Sequence, residues 1–289
     1  MRILYIAQHN QKNNDDEGAI SHALFKQGHD VVLFNPSTFI GDRSTLEEVS
    51  PHDYDIVLFH KLPTDYAHYV CTKWAGVCWF FDPIRKGFLS NDDYVDLITP
   101  WLYRGFFTDG DYVSETNHTK VIELKQGFDA ISTTARVTET YKEQDVLFIG
   151  TAGLPGYDKR TALLNKVVEN YGESSVHSQY SIFKDDLTAW VRNTKIMLAM
   201  PPVTDNYWSN RVYLLGGRGA CLMHPISEGL FREFGYNLGW YTDFESLKNN
   251  IEILLDHPDE RLAMAKGVQE IVWDRHCYHH RVKELVEQL

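Results

Sequence analysis

The feature that most constrains this chain is a recurrence of short, unbroken apolar runs, each stopped by a polar or glycine-bearing loop and followed by a helical stretch. In the first half the runs are Arg2–Ala7, Val31–Phe34, Tyr54–His60 and Gly76–Phe81, with weaker fragments at Gly105–Thr108 and Lys120–Leu124. They do not alternate apolar with polar, as a strand wet on one face would. Both faces must then be covered, which is the condition of a parallel sheet layered between helices. After a polar, Thr-rich stretch from about Asp129 to Gln144 the pattern restarts with Asp145–Ile149, Lys195–Met200, Ala220–Met223 and Asn237–Tyr241. Helical patterns fill the intervals: Ala19–Gln27, Lys159–Tyr171, Asn210–Leu215, Phe244–Leu255, Asp259–Val272 and His276–Leu289. The expectation is an α/β protein of two domains, 1–135 and 136–289, with the carboxyl ends of two parallel sheets across a cleft. Ligands bind at such ends, so the chemistry belongs on the loops after strands.

Length and charge narrow the function. The 289 residues leave little for insertions in a two-domain protein. The net charge of -12, from 28 basic and 40 acidic residues, excludes a general nucleic-acid coat. It does not exclude one basic cleft. Before residue 130 there are 11 basic and 19 acidic residues, and after it 17 and 21, so the acidic excess sits mostly in the first half. Cys71, Cys78, Cys221 and Cys277 form no C-x-x-C pair, and the N-terminus lacks a signal-peptide pattern. No apolar run approaches the roughly 20 residues that cross a bilayer. A cytoplasmic protein without membrane insertion is expected, in the host cytoplasm if the chain is phage-encoded.

Three constellations in the second half could hold an anion. In Trp208–Ala220, Ser209 or Asn210 can cap a helix, and Arg211 lies in its first turn, where it can add a fixed charge to a diphosphate. Gly216, Gly217 and Gly219 let backbone approach closely. The plain alternative is an ordinary helix with a glycine stop and Arg211 in a surface ion pair. The loop Gly150–Gly156 can turn backbone N–H groups to phosphate, and Lys159 and Arg160 follow it in the first turn of a helix. The alternative is a Gly/Pro turn with surface cations. Lys195 opens a buried strand, either snorkelling or facing the cleft.

In the first half, the loop His9–Gly18 carries Asp15, Asp16 and Glu17, His60 ends the third strand, and Asp82 ends the fourth before Pro83. Asp16, His60 and Asp82 are the candidate bases, each against a structural reading as loop or turn residue. His276, His279 and His280 beside Cys277 suggest zinc, but a partner at fixed spacing is missing, and no metal is expected.

The second half resembles the C-terminal domain of GT-B-fold glycosyltransferases, most of all the CgeB-type and group-1 family. The resemblance rests on Asp145–Gly150, on Lys195–Leu198, on Ser209-Asn210-Arg211-Val212-Tyr213 with Gly219-Ala220, and on Asp274–Arg281, which is similar to a terminal His-Thr-Tyr-x-x-Arg motif with Cys277 for Thr. Trp79–Pro83 and Gly127–Asp129 are weaker matches. It covers about residues 140–289 well and 1–130 by architecture. It implies two Rossmann-like domains facing across a cleft, with a C-terminal helix carrying Tyr278 and Arg281 back across them. It implies a metal-independent transferase without cofactor that uses a nucleotide-diphosphate sugar, a UDP-sugar first, as donor. Arg211 would neutralise the diphosphate, with Lys195 or Arg160 as second cation, and Ser209 and Asn210 would touch phosphate or ribose. The family places a ribose-binding Glu where this chain has Leu214, so Glu228 is the substitute candidate. The acceptor would be a saccharide, a small molecule or, as in compact phage transferases, a modified DNA base. The rival readings are a nucleotide-sugar epimerase and a non-catalytic nucleotide- or partner-binding protein with a decayed site.

Overall fold

The computed structural model describes residues 1–7, 15–35, 49–60, 62–84, 91–131, 142–150, 158–177, 184–200 and 206–289. It is an α/β protein with two parallel sheets and divides into two compact units, Met1–Gln126 with Tyr278–Leu289, and Gly127–Cys277. The sequence puts the division at 135/136, and the resemblance brings the last helix back across the two domains. Much of the expected crossover, 132–141, lies outside the described residues.

The first unit holds strands β1 (Arg2–Ile6), β2 (Asp30–Phe34), β3 (Ile56–Phe59), β4 (Gly76–Phe80), β5 (Arg104–Phe107) and β6 (Val121–Glu123), in the order β2-β1-β3-β4-β5-β6. All neighbours pair in parallel, β1 between β2 and β3. The unbroken apolar runs are explained by which face each residue meets. Ile3 and Tyr5 of β1 turn to helix α1 (Asp15–Lys26), and Leu4 and Ile6 turn to α2 (Thr64–Lys73) and α3 (Asn91–Ile98). A short helix α4 (Gly110–Glu115) is capped by Asp109, whose side chain accepts from the Tyr112 N–H.

The second unit holds β7 (Gln144–Ile149), β8 (Val176–His177), β9 (Thr194–Leu198), β10 (Leu222–Pro225) and β11 (Gly239–Tyr241), in the order β11-β10-β9-β7-β8, again parallel. Its helices are α5 (Asp158–Tyr171), α6 (Lys184–Asn193), α7 (Arg211–Gly217), α8 (Glu228–Phe234), α9 (Phe244–Asp256) and α10 (Pro258–Arg275). Phe148, Leu198 and Met223 face α5 and α9, while Leu147, Met197 and Leu222 face α6, α7 and α8. The final helix, α11 (Tyr278–Glu287), buries Tyr278, Val282 and Leu285 in the first unit beside α1. Full burial of a Val or Leu side chain contributes roughly 1.5–3 kcal/mol, so α11 is part of that core.

In each sheet the strand order reverses at one point, between β1 and β3 and between β7 and β9. The carboxyl ends at these points are where a doubly wound sheet opens a crevice.

Candidate functional site

At the β7/β9 reversal, β7 ends at Ile149 and Gly150, and Arg211 opens α7. Arg211 Nε donates to the Ile149 carbonyl at 2.8 Å, and Nη1 donates to Ser209 Oγ at 3.1 Å. Ser209 Oγ also accepts from the Arg211 backbone N–H at 3.2 Å, so one hydroxyl holds both ends of this arginine. Its guanidinium carbon is 5.5 Å from the Phe148 ring centre, and that of Arg160 is 6.0 Å from the same ring. Arg160 sits in the first turn of α5 and is 7% exposed. A Cβ added to Gly150 would lie 2.5 Å from Arg211 Nη2. Gly150 is therefore needed for the guanidinium to reach the strand end. Asn210, also buried, precedes Arg211, and its carbonyl accepts from the Leu214 N–H at 2.9 Å.

Gly150, Arg160, Ser209, Asn210 and Arg211 are thus gathered at one strand end. Residues 151–157 of the expected phosphate loop lie outside the described residues. Three other sequence candidates are placed elsewhere. Lys195 pairs with Asp145 at 2.6 Å, where β7 and β9 begin. The three residues to Leu198 at ~3.3 Å each put it about 10 Å from the carboxyl end. Gly217 closes α7 at the end opposite Arg211. A Cβ there would be 2.5 Å from the Phe128 ring, and its carbonyl accepts from Gln269 Nε2 and Trp273 Nε1. It serves helix packing. Glu228, with a side chain 74% exposed, opens α8 and pairs with Arg232 at 3.0 Å.

At the β1/β3 reversal the first unit presents a ring cluster. His60 Nδ1 is 2.9 Å from the Trp79 carbonyl, and Nε2 is 2.5 Å from Tyr5 Oη. A carbonyl only accepts, so Nδ1 carries the proton, and in the neutral ring Nε2 accepts from the Tyr5 hydroxyl. Tyr5 was missed in the sequence because it reads as one more apolar strand residue. It is fully buried, and burial, with the charges of Glu17 and Asp16, holds its phenol well above the ordinary tyrosine range. The half-buried Phe81 ring lies 4.3 Å from that of His60. Asp82 follows, half-buried, on a turn fixed by Thr108 Oγ1 donating to the Phe81 carbonyl and by the Ile84 N–H donating to Asp109 Oδ2. Asp16 lies in the first turn of α1, where a carboxylate suits the helix dipole. His9 lies outside the described residues.

His224, a fully buried histidine, had no sequence signal. His224, in β10, is 1% exposed, and its Nδ1 is 2.6 Å from the Pro225 carbonyl, while Nε2 has no hydrogen-bond partner. Burial pushes its imidazolium pKa down to about 4. At the end of α10, Cys277 Sγ donates to the Val272 and Trp273 carbonyls, as a Thr hydroxyl would. Among the described residues, Cys277, His279 and His280 form the trio whose metal-ligating atoms come within 4.8 Å of one another. No helix among the described residues is long and apolar enough to cross a membrane.

A family described as glycosyl transferase-like matches residues 133–287. No curated protein matches the sequence. Among solved structures, HepE of Anabaena in complex with UDP-glucose is similar at a TM-score of 0.67 and 12% identity, over 100% of both chains. Sucrose-phosphate synthase of Thermosynechococcus elongatus is similar at 0.65 and 9% identity, over 99% of this chain and 97% of the other. A Listeria monocytogenes protein assigned as a UDP-N-acetylglucosamine 2-epimerase is similar at 0.58 and 12%, over 99% and 95%. At these identities the likeness speaks for the fold.

Proposed function

The chain belongs to the glycosyl transferase-like family, and on that premise we propose that it moves a sugar from a nucleoside-diphosphate sugar, a UDP-sugar first, to an acceptor hydroxyl. The observation that carries this reading is the Arg211 guanidinium, held by Ile149 and Ser209 at the end of β7, with Arg160 on the same Phe148 ring. As the anomeric carbon–oxygen bond breaks, negative charge grows on the departing diphosphate. Two guanidiniums fixed beforehand stabilise that charge without reorganising, which is the main electrostatic demand of the reaction. Their charge is also what a divalent cation would otherwise supply, so the reading is metal-independent. Ser209 acts by positioning Arg211. Lys195 has no part in it, and neither has Gly217.

The attacking hydroxyl gives up its proton as its oxygen bonds to the anomeric carbon. In an inverting reaction a first-unit carboxylate or histidine takes that proton. Asp16 and Asp82 are the carboxylate candidates, and His60, whose Nε2 accepts from the Tyr5 hydroxyl, is the third candidate base. In a retaining reaction the leaving phosphate oxygen takes it.

A second reading, a nucleotide-binding protein without turnover, is favoured by Leu214, which stands where the family resemblance expects a ribose-binding Glu. One experiment separates the two. UDP and UDP-glucose should raise the melting temperature by mass action, and UDP-glucose should be consumed when acceptor is present. An unshifted melting temperature with UDP, GDP and their sugars in a folded sample would sink both readings. A shift without turnover on any acceptor would leave only the second.

A further inference from the structure

We propose that the outer face of α8, with the rings of Tyr236 and Trp240 beside it, is a two-fold dimer interface whose partner is a second copy of this chain. The inference lies within the second unit, goes beyond the transferase reading and does not depend on it.

The residues of α8 divide between two faces. Leu230 and Phe234, four apart, are buried in the core of the second unit. The opposite stripe of such a helix should be polar. Read at i, i+3, i+4 and i+7 from Glu228, it is instead Glu228, Phe231, Arg232 and Gly235. Phe231 is 37% exposed, and its ring meets that of Tyr236 edge to face at 5.4 Å and that of Trp240 at 5.6 Å. Among the described residues Tyr236 is the most exposed large apolar side chain, at 85%. The chain reaches it through Gly235, whose φ of 53° is a conformation that glycine alone takes at little cost. Trp240 is fixed from behind. Its Nε1 donates to the Gly235 carbonyl at 2.9 Å, its carbonyl accepts from Asn250 Nδ2 at 2.8 Å, and the His224 ring stands edge-on at 6.1 Å. The three rings therefore make one continuous apolar surface, with little side-chain freedom left to lose on binding.

The charges on the stripe select the partner. Glu228 and Arg232 flank Phe231, one acid and one base four residues apart, and pair with each other at 3.0 Å. Both are exposed, so the pair by itself adds little to the fold. Glu233, the other carboxylate of α8, lies 3.3 Å from His276 Nε2 and is not on this stripe. An anionic membrane would call for a cluster of cations around the rings, and a strongly charged protein partner for charges of one sign. One acid and one base on a single stripe are complementary to themselves. Across a two-fold axis two α8 helices run antiparallel, so that Glu228 of each copy faces Arg232 of the other while the aromatic rings are buried between them. Tyrosine, tryptophan and arginine are also the residues in which interface hot spots are richest.

The test is sedimentation velocity on the full chain over a concentration series, with circular dichroism to check that each variant is folded. The parent chain should exchange between monomer and dimer in the micromolar range. Tyr236→Ser, at a side chain that the core does not use, should raise the dimer Kd by about 30-fold. Glu228→Arg and Arg232→Glu should each give monomers, because like charges then meet across the axis. Mixed in equal amounts, those two variants should form a heterodimer, and the double exchange in one chain should restore the homodimer. A parent chain that stays monomeric up to about 100 µM overturns the proposal. So does a dimer whose Kd Tyr236→Ser leaves unmoved, or a pair of charge variants that do not associate when mixed. A monomer that floats with phosphatidylserine vesicles overturns it too, and gives the ring surface to a membrane. None of these outcomes bears on the UDP shift, so the transferase reading stands or falls separately.

Discussion

The two sheet reversals are alike in backbone and opposite in chemistry. At β7/β9 two guanidiniums gather round one phenyl ring, and at β1/β3 a histidine and a phenylalanine pack together beside a buried tyrosine on which the charges of Glu17 and Asp16 act. The shared geometry supplies the location, and the side chains at the strand ends decide what each place can bind. Two histidines repeat the contrast. His60 has a partner on each ring nitrogen, while His224 is buried with only Nδ1 bonded.

The largest effect expected is on the donor side. Arg211→Ala should abolish UDP stabilisation and lower kcat/KM by about 10²–10³, the size seen when a preorganised charge donor is removed. Arg211→Lys should recover only part, because one ammonium cannot hold Ile149 and Ser209 together. An unchanged UDP shift in Arg211→Ala would end the contrast drawn above.

Next in size is an acid limb set by His224. Its pKa is depressed from 6.5 in the unfolded chain to about 4. The unfolded state therefore binds the extra proton first, and stability is lost as pH falls from about 6.5 towards 4. About 2 kcal/mol should be gone by pH 5. In His224→Leu, urea midpoints at pH 7.5 and pH 5 should differ by correspondingly less than in the parent. An equal drop in both would place the limb elsewhere.

Smaller effects sharpen the picture. Gly150→Ala should weaken UDP binding about tenfold by pushing Arg211 aside, with the melting temperature of the unliganded protein within a few degrees of the parent. Leu214→Glu, supplying the carboxylate that the family resemblance expects, should tighten UDP a few-fold, by about 1 kcal/mol. Calorimetric titration would check both. Lys195→Ala should leave UDP binding alone and cost under ~1 kcal/mol, since its pair with Asp145 is partly exposed. A lost UDP shift in Lys195→Ala would return that lysine to the donor site.

Much of this architecture is legible in the sequence because parallel strands buried on both faces leave unbroken apolar runs. The place of Ser209 and Arg211 at a helix start is legible because a polar pair before a short apolar run marks an N-terminus. Residue type alone does not tell that Lys195 pairs with Asp145 where β7 and β9 begin, although its place at the start of the run is a clue. Tyr5 and Phe148 are hidden for the opposite reason. Their rings belong to the apolar pattern, and only the fold shows that one meets a histidine and the other two arginines. The placement of α11 depends on contacts of Tyr278, Val282 and Leu285 with residues far earlier in the chain, such as Ala19 and Leu24.

That placement has a consequence for synthesis. α11 is made after the whole second unit, yet it completes the first. On the ribosome the order of birth and the order of completion are reversed: the earlier half emerges first and must wait, one face of its sheet still short of Val282 and Leu285, until the later half has already been born. Protease pulses on stalled nascent chains should find the first half cleavable until α11 emerges, and early protection of that half would refute this order.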